Sequence, residues 1–355
     1  MAIFKNNLEK SIFSAVAYCD IFDYPLTAGE IWKWLFRDEI WGSSLFNVQK
    51  ELEESENFKS LLGSRRGFYF LKGREATIEL RQIRYSLAER KFKKALRVVR
   101  FLRFAPGIRM TAVCNSLAWS NASEESDIDF FIVTASNKIW TARFWTAGLL
   151  KLFGLRPTKN KTRDKICLSF FVDEDNLNLE KIAIDQPDIY LIHWITQLAP
   201  IYDRGGVYEK FLKANKWIKK YLPNSFGNEV GERRKVPSAG LPQKHASQDT
   251  LPYIESESPR ALPRADRINS IENSFDQSAL RKVFSADTSS AQRRKTAERF
   301  FRWVQLKVMP DKLKEMANKD TRIIVSDGVL KFHDGDRRKE YKRRWEDKMV
   351  KLLNG

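Results

Sequence analysis

Cysteine and histidine are both scarce. The chain has three of each in 355 residues. Cys19, Cys114 and Cys167 lie far apart and His193, His245 and His333 are scattered, so neither set has the spacing of a zinc site. An odd, dispersed set of thiols also excludes a disulfide framework and favours a reducing, cytoplasmic setting. Long apolar runs are missing too. The best membrane candidate, residues 139–155, carries Arg143 and Lys151 and is too short to span, so no membrane partner is expected. The opening MAIFKNNLEK has no charged-then-apolar signal pattern.

Positive charge is abundant. Lysine and arginine total 63 against 45 acids, giving a formal charge of +18. A balance this basic favours an acidic partner, such as a nucleotide or a nucleic acid. The plain alternative is a set of solvated cations. Hydrophobic residues at 43% are enough to build real cores.

Periodicity divides the chain into five regions. Residues 1–75 read as three helices and a hairpin, the make-up of a winged-helix-like domain. Its first helix covers 8–23. Its second opens with the capping box Thr27-Ala28-Gly29-Glu30 and its third runs from about Ser44 to Glu54. Glu51, Glu53 and Glu54 on that third helix oppose a phosphate backbone. The hairpin, with Arg65, Arg66, Lys72 and Arg74, suits one better. Residues 76–106 read as a basic connecting helix. Its cations between Arg81 and Arg103 form either a phosphate-binding face or a solvated one. Residues 107–226 alternate strands and helices, as an α+β or α/β domain with a small mixed sheet does. In 227–292 apolar periodicity gives way to Pro, Ser, Arg and Gln, the composition of a disordered linker. Residues 293–355 read as a helix, a hairpin turning at Asp327-Gly328, and a basic helix. His193 sits on an apolar helical face and reads as a packed core residue. His333-Asp334-Gly335-Asp336-Arg337 reads as a loop and helix cap, with a metal or phosphate site as the lesser alternative.

The informative segment is Cys114-Asn115-Ser116, ten residues, and then Asp127-Ile128-Asp129 leading into Phe130-Phe131-Ile132-Val133. Aspartates at i and i+2 on a strand share a face. Carboxylates at the head of a buried strand are costly unless a cation or hydrogen-bond donors meet them. Such oxygen ligands suit magnesium, which also binds phosphates. The alternative is that Asp127 caps a turn and Asp129 pairs with an arginine. A serine at a helix start can hold a phosphate through its hydroxyl and backbone amide.

This arrangement resembles the signature of the DNA polymerase beta-type nucleotidyltransferase superfamily: a strand, Gly-Ser at a helix start, about ten residues, then Asp-x-Asp in a strand. The resemblance covers about 107–205. It implies a nucleotidyltransferase-like fold preceded by the winged-helix-like domain, as in bacterial nucleotidyltransferase-domain proteins. It also implies Mg2+ (or Mn2+) on Asp127 and Asp129, with an NTP held by Asn115, Ser116 and Ser126. The chain departs from the pattern in two places. Asn115 replaces glycine, although asparagine tolerates left-handed backbone. The family's third carboxylate has no counterpart in the middle of 166–172, and Asp173 at its end is the weak candidate. Two functions follow. One is transfer of an NMP from an NTP to a hydroxyl, plausibly of a nucleic acid lying near the basic helix 81–103. The other is a catalytically degenerate, nucleic-acid-associated binding or regulatory module.

Overall fold

The computed structural model describes residues 4–36, 43–158, 160–226 and 291–351. Residues 227–290, nearly all of the expected linker, lie outside the described residues.

The N-terminal region opens with α1 (Asn7–Asp20), capped by Asn6, whose Oδ1 accepts from the Glu9 amide at 2.8 Å. The short strand β1 (Leu26–Thr27) leads into α2 (Ala28–Lys33), and the expected capping box is formed in both directions between Thr27 and Glu30. Ser44 caps α3 (Leu45–Glu54), and α4 (Glu56–Leu61) follows. Strands β2 (Leu62–Arg65) and β3 (Phe68–Leu71) make the hairpin. Its two turn residues, Arg66 and Gly67, both have positive φ (54° and 76°), the backbone a tight hairpin turn requires. β1 adds to β3, giving an antiparallel sheet in the order β1-β3-β2.

A single 26-residue helix, α5 (Thr77–Leu102), spans the expected basic region. Three of its cations serve inside the molecule, while Arg90, Lys93 and Arg100 are exposed. Arg81 forks onto Glu30 at 2.8 Å and also donates to the Pro25 carbonyl. Arg84 donates to the Phe22 carbonyl and to Asn121. Lys91 is fully buried. These positions tie the N-terminal region to the sheet domain, so they do not form a free phosphate-binding face.

The larger sheet comprises β4 (Ile108–Val113), β5 (Ile128–Thr134), β6 (Ile166–Asp173) and β7 (Ala199–Asp203), with β8 (Ile323–Val325) and β9 (Val329–Phe332) from the far end of the chain. The order is β7-β4-β5-β6-β9-β8; β5 and β6 run parallel and every other neighbour is antiparallel. The fold is therefore a mixed α+β arrangement with two sheets. β8 and β9 do form a hairpin, but they complete the main sheet instead of making a separate region.

Alternation along β5 sorts the core. Ile128, Phe130 and Ile132 face α5 and α7 (Ile139–Leu152). Phe131 and Val133 face α8 (Ile189–Gln197), α9 (Val207–Ala214) and the N-terminal helices. Between β4 and β5 lies the four-residue helix α6 (Asn115–Ala118). The returning helix α10 (Ala291–Lys307) packs on α7, and the Glu298 carboxylate accepts from the Trp140 and Thr141 amides at the α7 start. The short helix α11 (Asp311–Met316) precedes the hairpin. The last helix, α12 (Arg338–Lys351), returns to α1, where Lys348 pairs with Asp20 at 2.7 Å and Trp345 donates to the Ser14 carbonyl. The two ends of the described chain thus pack together. Among the described residues no helix is long and apolar enough to cross a membrane.

One buried charge network fastens the C-terminal segment. Arg338, 5% exposed, donates to Asp188 at 2.8 Å, Asp336 at 2.7 Å, Thr321 at 2.7 Å and the Ile182 carbonyl at 2.9 Å. Asp188 also caps α8 through the Leu191 amide. Removing one partner of a buried pair leaves uncompensated charge, so Arg338→Met should cost about 3–5 kcal/mol of stability in urea unfolding. A loss below ~1 kcal/mol would show that the network is not holding the segment.

Candidate functional site

Asp127 stands immediately before β5, and Asp129 lies on the β5 face shared with Phe131 and Val133. The parallel register places Asp129 opposite Cys167 of β6. One donor atom from each of Asp127, Asp129 and Cys167 lies within 4.8 Å of the others. All three side chains are half-buried. Among the described residues neither carboxylate has an ion-pair partner.

The approach to the pair is fixed from below by Lys91. Its ammonium donates to the Ser126 carbonyl at 2.7 Å, the Glu124 carbonyl at 3.1 Å and Asp164 at 2.8 Å. The Asp164 amide donates to the same Ser126 carbonyl, and the Ile128 amide donates to the Lys165 carbonyl. Burial raises the Asp164 carboxyl, but the hydrogen bond and charge of Lys91 outweigh it and hold the group below its ordinary value. The loop carrying Asp127 is therefore clamped by one buried cation satisfied at all three of its hydrogens.

Asn115 fixes the pair from above. Its φ of 55° is the left-handed backbone expected of asparagine in a glycine's place. Its Oδ1 accepts from Trp194 Nε1 at 2.9 Å and Tyr190 Oη at 3.4 Å, and its amide donates to Asp129. A cavity of about 120 Å³ opens beside it between α8 and the segment from β9 to α12, with Tyr190, Trp194, His333, Arg337 and Tyr341 in its walls.

The other expected residues fare unequally. Ser116 is partly exposed in the first turn of α6, next to Asn115. Ser126 is adjacent to the pair, but its hydroxyl donates to the Ser123 carbonyl at 2.9 Å and its carbonyl is held by Lys91. Asp173 is not brought to the site. It pairs in register with Thr134 at the far end of β5, six strand positions or roughly 20 Å from Cys167. There its carboxylate accepts from Asn176 at 2.7 Å and the Asp175 amide at 3.2 Å, a local turn. A β-bulge also turns Asp173 away from the face of the pair. The register jumps from Asp129–Cys167 to Phe131–Phe170, so Phe170 and Val172 join Phe131 and Val133 while Phe171 turns to the opposite layer. By alternation Asp173 follows Phe171, away from the aspartate pair.

The position across from Asp129 thus belongs to Cys167, a residue that sequence reasoning passed over. The usable signal was its place near the start of β6, level with the start of β5 in a parallel pair. Its thiol lies beside the two carboxylates and favours their charged forms. Burial first, and then the nearby aspartates, push that thiol well above its ordinary value. Ser169, two residues further along β6, favours the charged form of Cys167, and its Oγ in turn meets His333 Nε2 at 3.0 Å. His333 thus enters this chain of contacts, while Asp334 pairs with Lys312 and Asp336 with Arg338 and Lys331 as loop and cap residues. His193 is a core residue, stacked on Tyr18 at 4.0 Å. Protein-family models, curated proteins and solved structures offer no match to this chain.

The electrostatics of the pair make a pH prediction. Burial, and next the like charge of Asp127, push Asp129 up from 3.8 to about 7. Burial also raises Asp127. Between the ordinary value and about 7 the folded state binds more protons than the unfolded state, so cation-free stability falls as pH rises through that window and levels off above it. Asp129→Asn removes the effect. At pH 8 the variant should be more stable than the wild type by about 1–3 kcal/mol. Urea unfolding at several pH values checks this; a less stable variant at pH 8 counts against it.

Proposed function

We propose that this chain is a metal-dependent nucleotidyltransferase that moves an NMP from an NTP to a hydroxyl of an acceptor, plausibly a nucleic acid. The observation carrying this reading is the aspartate pair: two carboxylates side by side at the head of an apolar strand, with no ion-pair partner among the described residues. Magnesium binds proteins through one or two carboxylates and completes its shell with water and substrate phosphates, so Asp127 and Asp129 fit it. When bound, such a cation neutralises the triphosphate and favours loss of the acceptor hydroxyl proton.

The chain's own residues do the positioning. Lys91 holds the loop that presents Asp127, and Asn115 holds Asp129. The Ser116 hydroxyl and the first turn of α6 stand beside them to receive phosphate oxygens. The cavity lined by Tyr190, Trp194 and Tyr341 would take the rest of the nucleotide. Fixing the reactants in line supplies much of what phosphoryl transfer needs. The four helices and three-stranded sheet at the N-terminus, one helix more than expected, are compatible with a winged-helix-like module, and its hairpin, with Arg65 and Arg66 half-exposed, is its most suitable surface for an anionic acceptor.

A second reading is favoured by a specific observation. Cys167 stands where a third carboxylate would complete the site. On that reading the chain binds nucleotide without turning it over and acts as a nucleic-acid-associated module.

Transfer from labelled NTPs to pooled RNA and DNA oligonucleotides, with magnesium or manganese, separates the two. Labelling in the wild type should fall roughly a thousandfold or more in Asp127→Asn, Asp129→Asn, the several kcal/mol that a bound cation supplies. Wild-type NTP binding that depends on cation, without labelling, would instead select the binding module. Loss of both in a folded protein removes the whole reading.

A further inference from the structure

The two aspartates at the pair suit magnesium, but the third donor beside them does not. Asp127 and Asp129 offer hard oxygens, but the third atom within 4.8 Å is the Cys167 sulfur. Magnesium gains little from sulfur, whereas zinc and cadmium bind thiolate strongly. Three protein ligands with one open position is the pattern of a catalytic zinc site, and two carboxylates with one thiolate supply it. With metal–oxygen and metal–sulfur bonds of ordinary length, neighbouring ligands around a tetrahedral ion lie about 3.4–3.6 Å apart. The three donor atoms, all within 4.8 Å of one another, lie close to that arrangement.

A second feature, independent of the acids, orients the sulfur. The bulge in β6 leaves both Ser169 and Phe170 on the aspartate side of the sheet. Ser169 reaches Cys167, and His333 of the C-terminal segment holds Ser169 at 3.0 Å. Outer partners of this kind are what hold a metal-binding thiolate. Of the cations near the triple, Lys91 is spent on the Ser126 and Glu124 carbonyls and Asp164, and Arg156 donates to the Ile166 carbonyl at 3.4 Å; neither forms an ion pair with the triple among the described residues. The place between the three donors is thus left for an external cation.

We propose that, in the absence of nucleotide, Asp127, Asp129 and Cys167 bind one thiophilic divalent cation of the zinc class in preference to magnesium, with Cys167 Sγ as the third ligand. On binding, the metal–sulfur bond forms as the thiol proton passes to solvent; no electrons are exchanged. This inference rests on the cation-binding part of the proposed function and departs from it in the choice of metal.

The test uses the full chain, reduced and stripped with chelator, titrated with cadmium as a spectroscopic probe. The ultraviolet charge-transfer band of a cadmium–thiolate bond should grow to one equivalent and survive excess magnesium. It should vanish in Cys167→Ser and in Asp127→Asn, Asp129→Asn. It should persist in Cys114→Ser, because that buried thiol lies outside the triple. Cys167→Asp should weaken cadmium binding by at least about tenfold, the scale of even outer-shell changes at metal sites, while strengthening magnesium binding. Should that variant fail to fold, Cys167→Ser decides alone. A band absent from the wild type, or one that persists in Cys167→Ser, overturns the inference. Magnesium-dependent NTP binding that requires the aspartates would then still uphold the proposed function, and loss of every form of cation and nucleotide binding would remove both.

Discussion

Two carboxylates held side by side at the end of a strand that otherwise carries only apolar side chains and one threonine oppose folding. Each loses water, and each raises the cost of ionising the other. The surrounding structure offsets this without bringing a cation to the acids. Lys91 spends two of its hydrogens on backbone carbonyls of the loop before Asp127 and the third on Asp164, just before β6. Asn115 bends into left-handed backbone and offers its amide to Asp129 while Trp194 and Tyr190 hold its oxygen. These contacts fix the acids in place and leave their charge uncancelled. A structure that needed the pair only for packing would have gained stability from a direct Asp–Lys contact. Here the buried lysine is next door and points elsewhere.

The same contrast runs through the basic composition. A formal charge of +18 invites an electrostatic reading of the whole surface. On α5, however, Arg81, Arg84 and Lys91 are drawn inward onto Glu30, Asp23, Asn121, Asp164 and backbone carbonyls. On α12, Arg338 is buried and Lys348 pairs with Asp20. Many of these cations join regions distant in sequence. Net charge alone therefore overstates the surface free to attract an anion, and any nucleic-acid contact has to be argued for the hairpin and the half-exposed cations instead.

What the sequence disclosed was local. The Thr27–Glu30 box, the Ser44 cap, the apolar run of β5 and the left-handed turn at Asn115 are each set by residues within a few positions, and each is found where expected. The features it hid depend on register and on long-range pairing. Strict alternation from Cys167 would carry Asp173 to the aspartate face, and one extra residue in β6 undoes that count. The partner of Asp129 is fixed by the stagger between parallel strands, to which the spacing of apolar residues is indifferent. The C-terminal hairpin was recognisable from Asp327-Gly328, but nothing in its own sequence says that β9 pairs with β6 across the long intervening segment.

That last pairing bears directly on the site. β9 lies beside β6 in antiparallel register from Phe170–Lys331 to Val172–Val329, and the chain leaving β9 carries His333 back to Ser169. The sulfur across from Asp129 is thus steadied by a residue from the far end of the protein. That residue sits in a segment fastened by Arg338 to the start of α8, the helix whose Trp194 and Tyr190 hold Asn115. The aspartate pair, its thiol neighbour and the adjoining cavity are consequently joined through one set of contacts. A shift of the C-terminal segment would reach Cys167 through Ser169 and Asp129 through Asn115 together. The candidate site therefore belongs to the assembled chain, with the Asp-x-Asp strand as its centre and α8 and the C-terminal segment as its support.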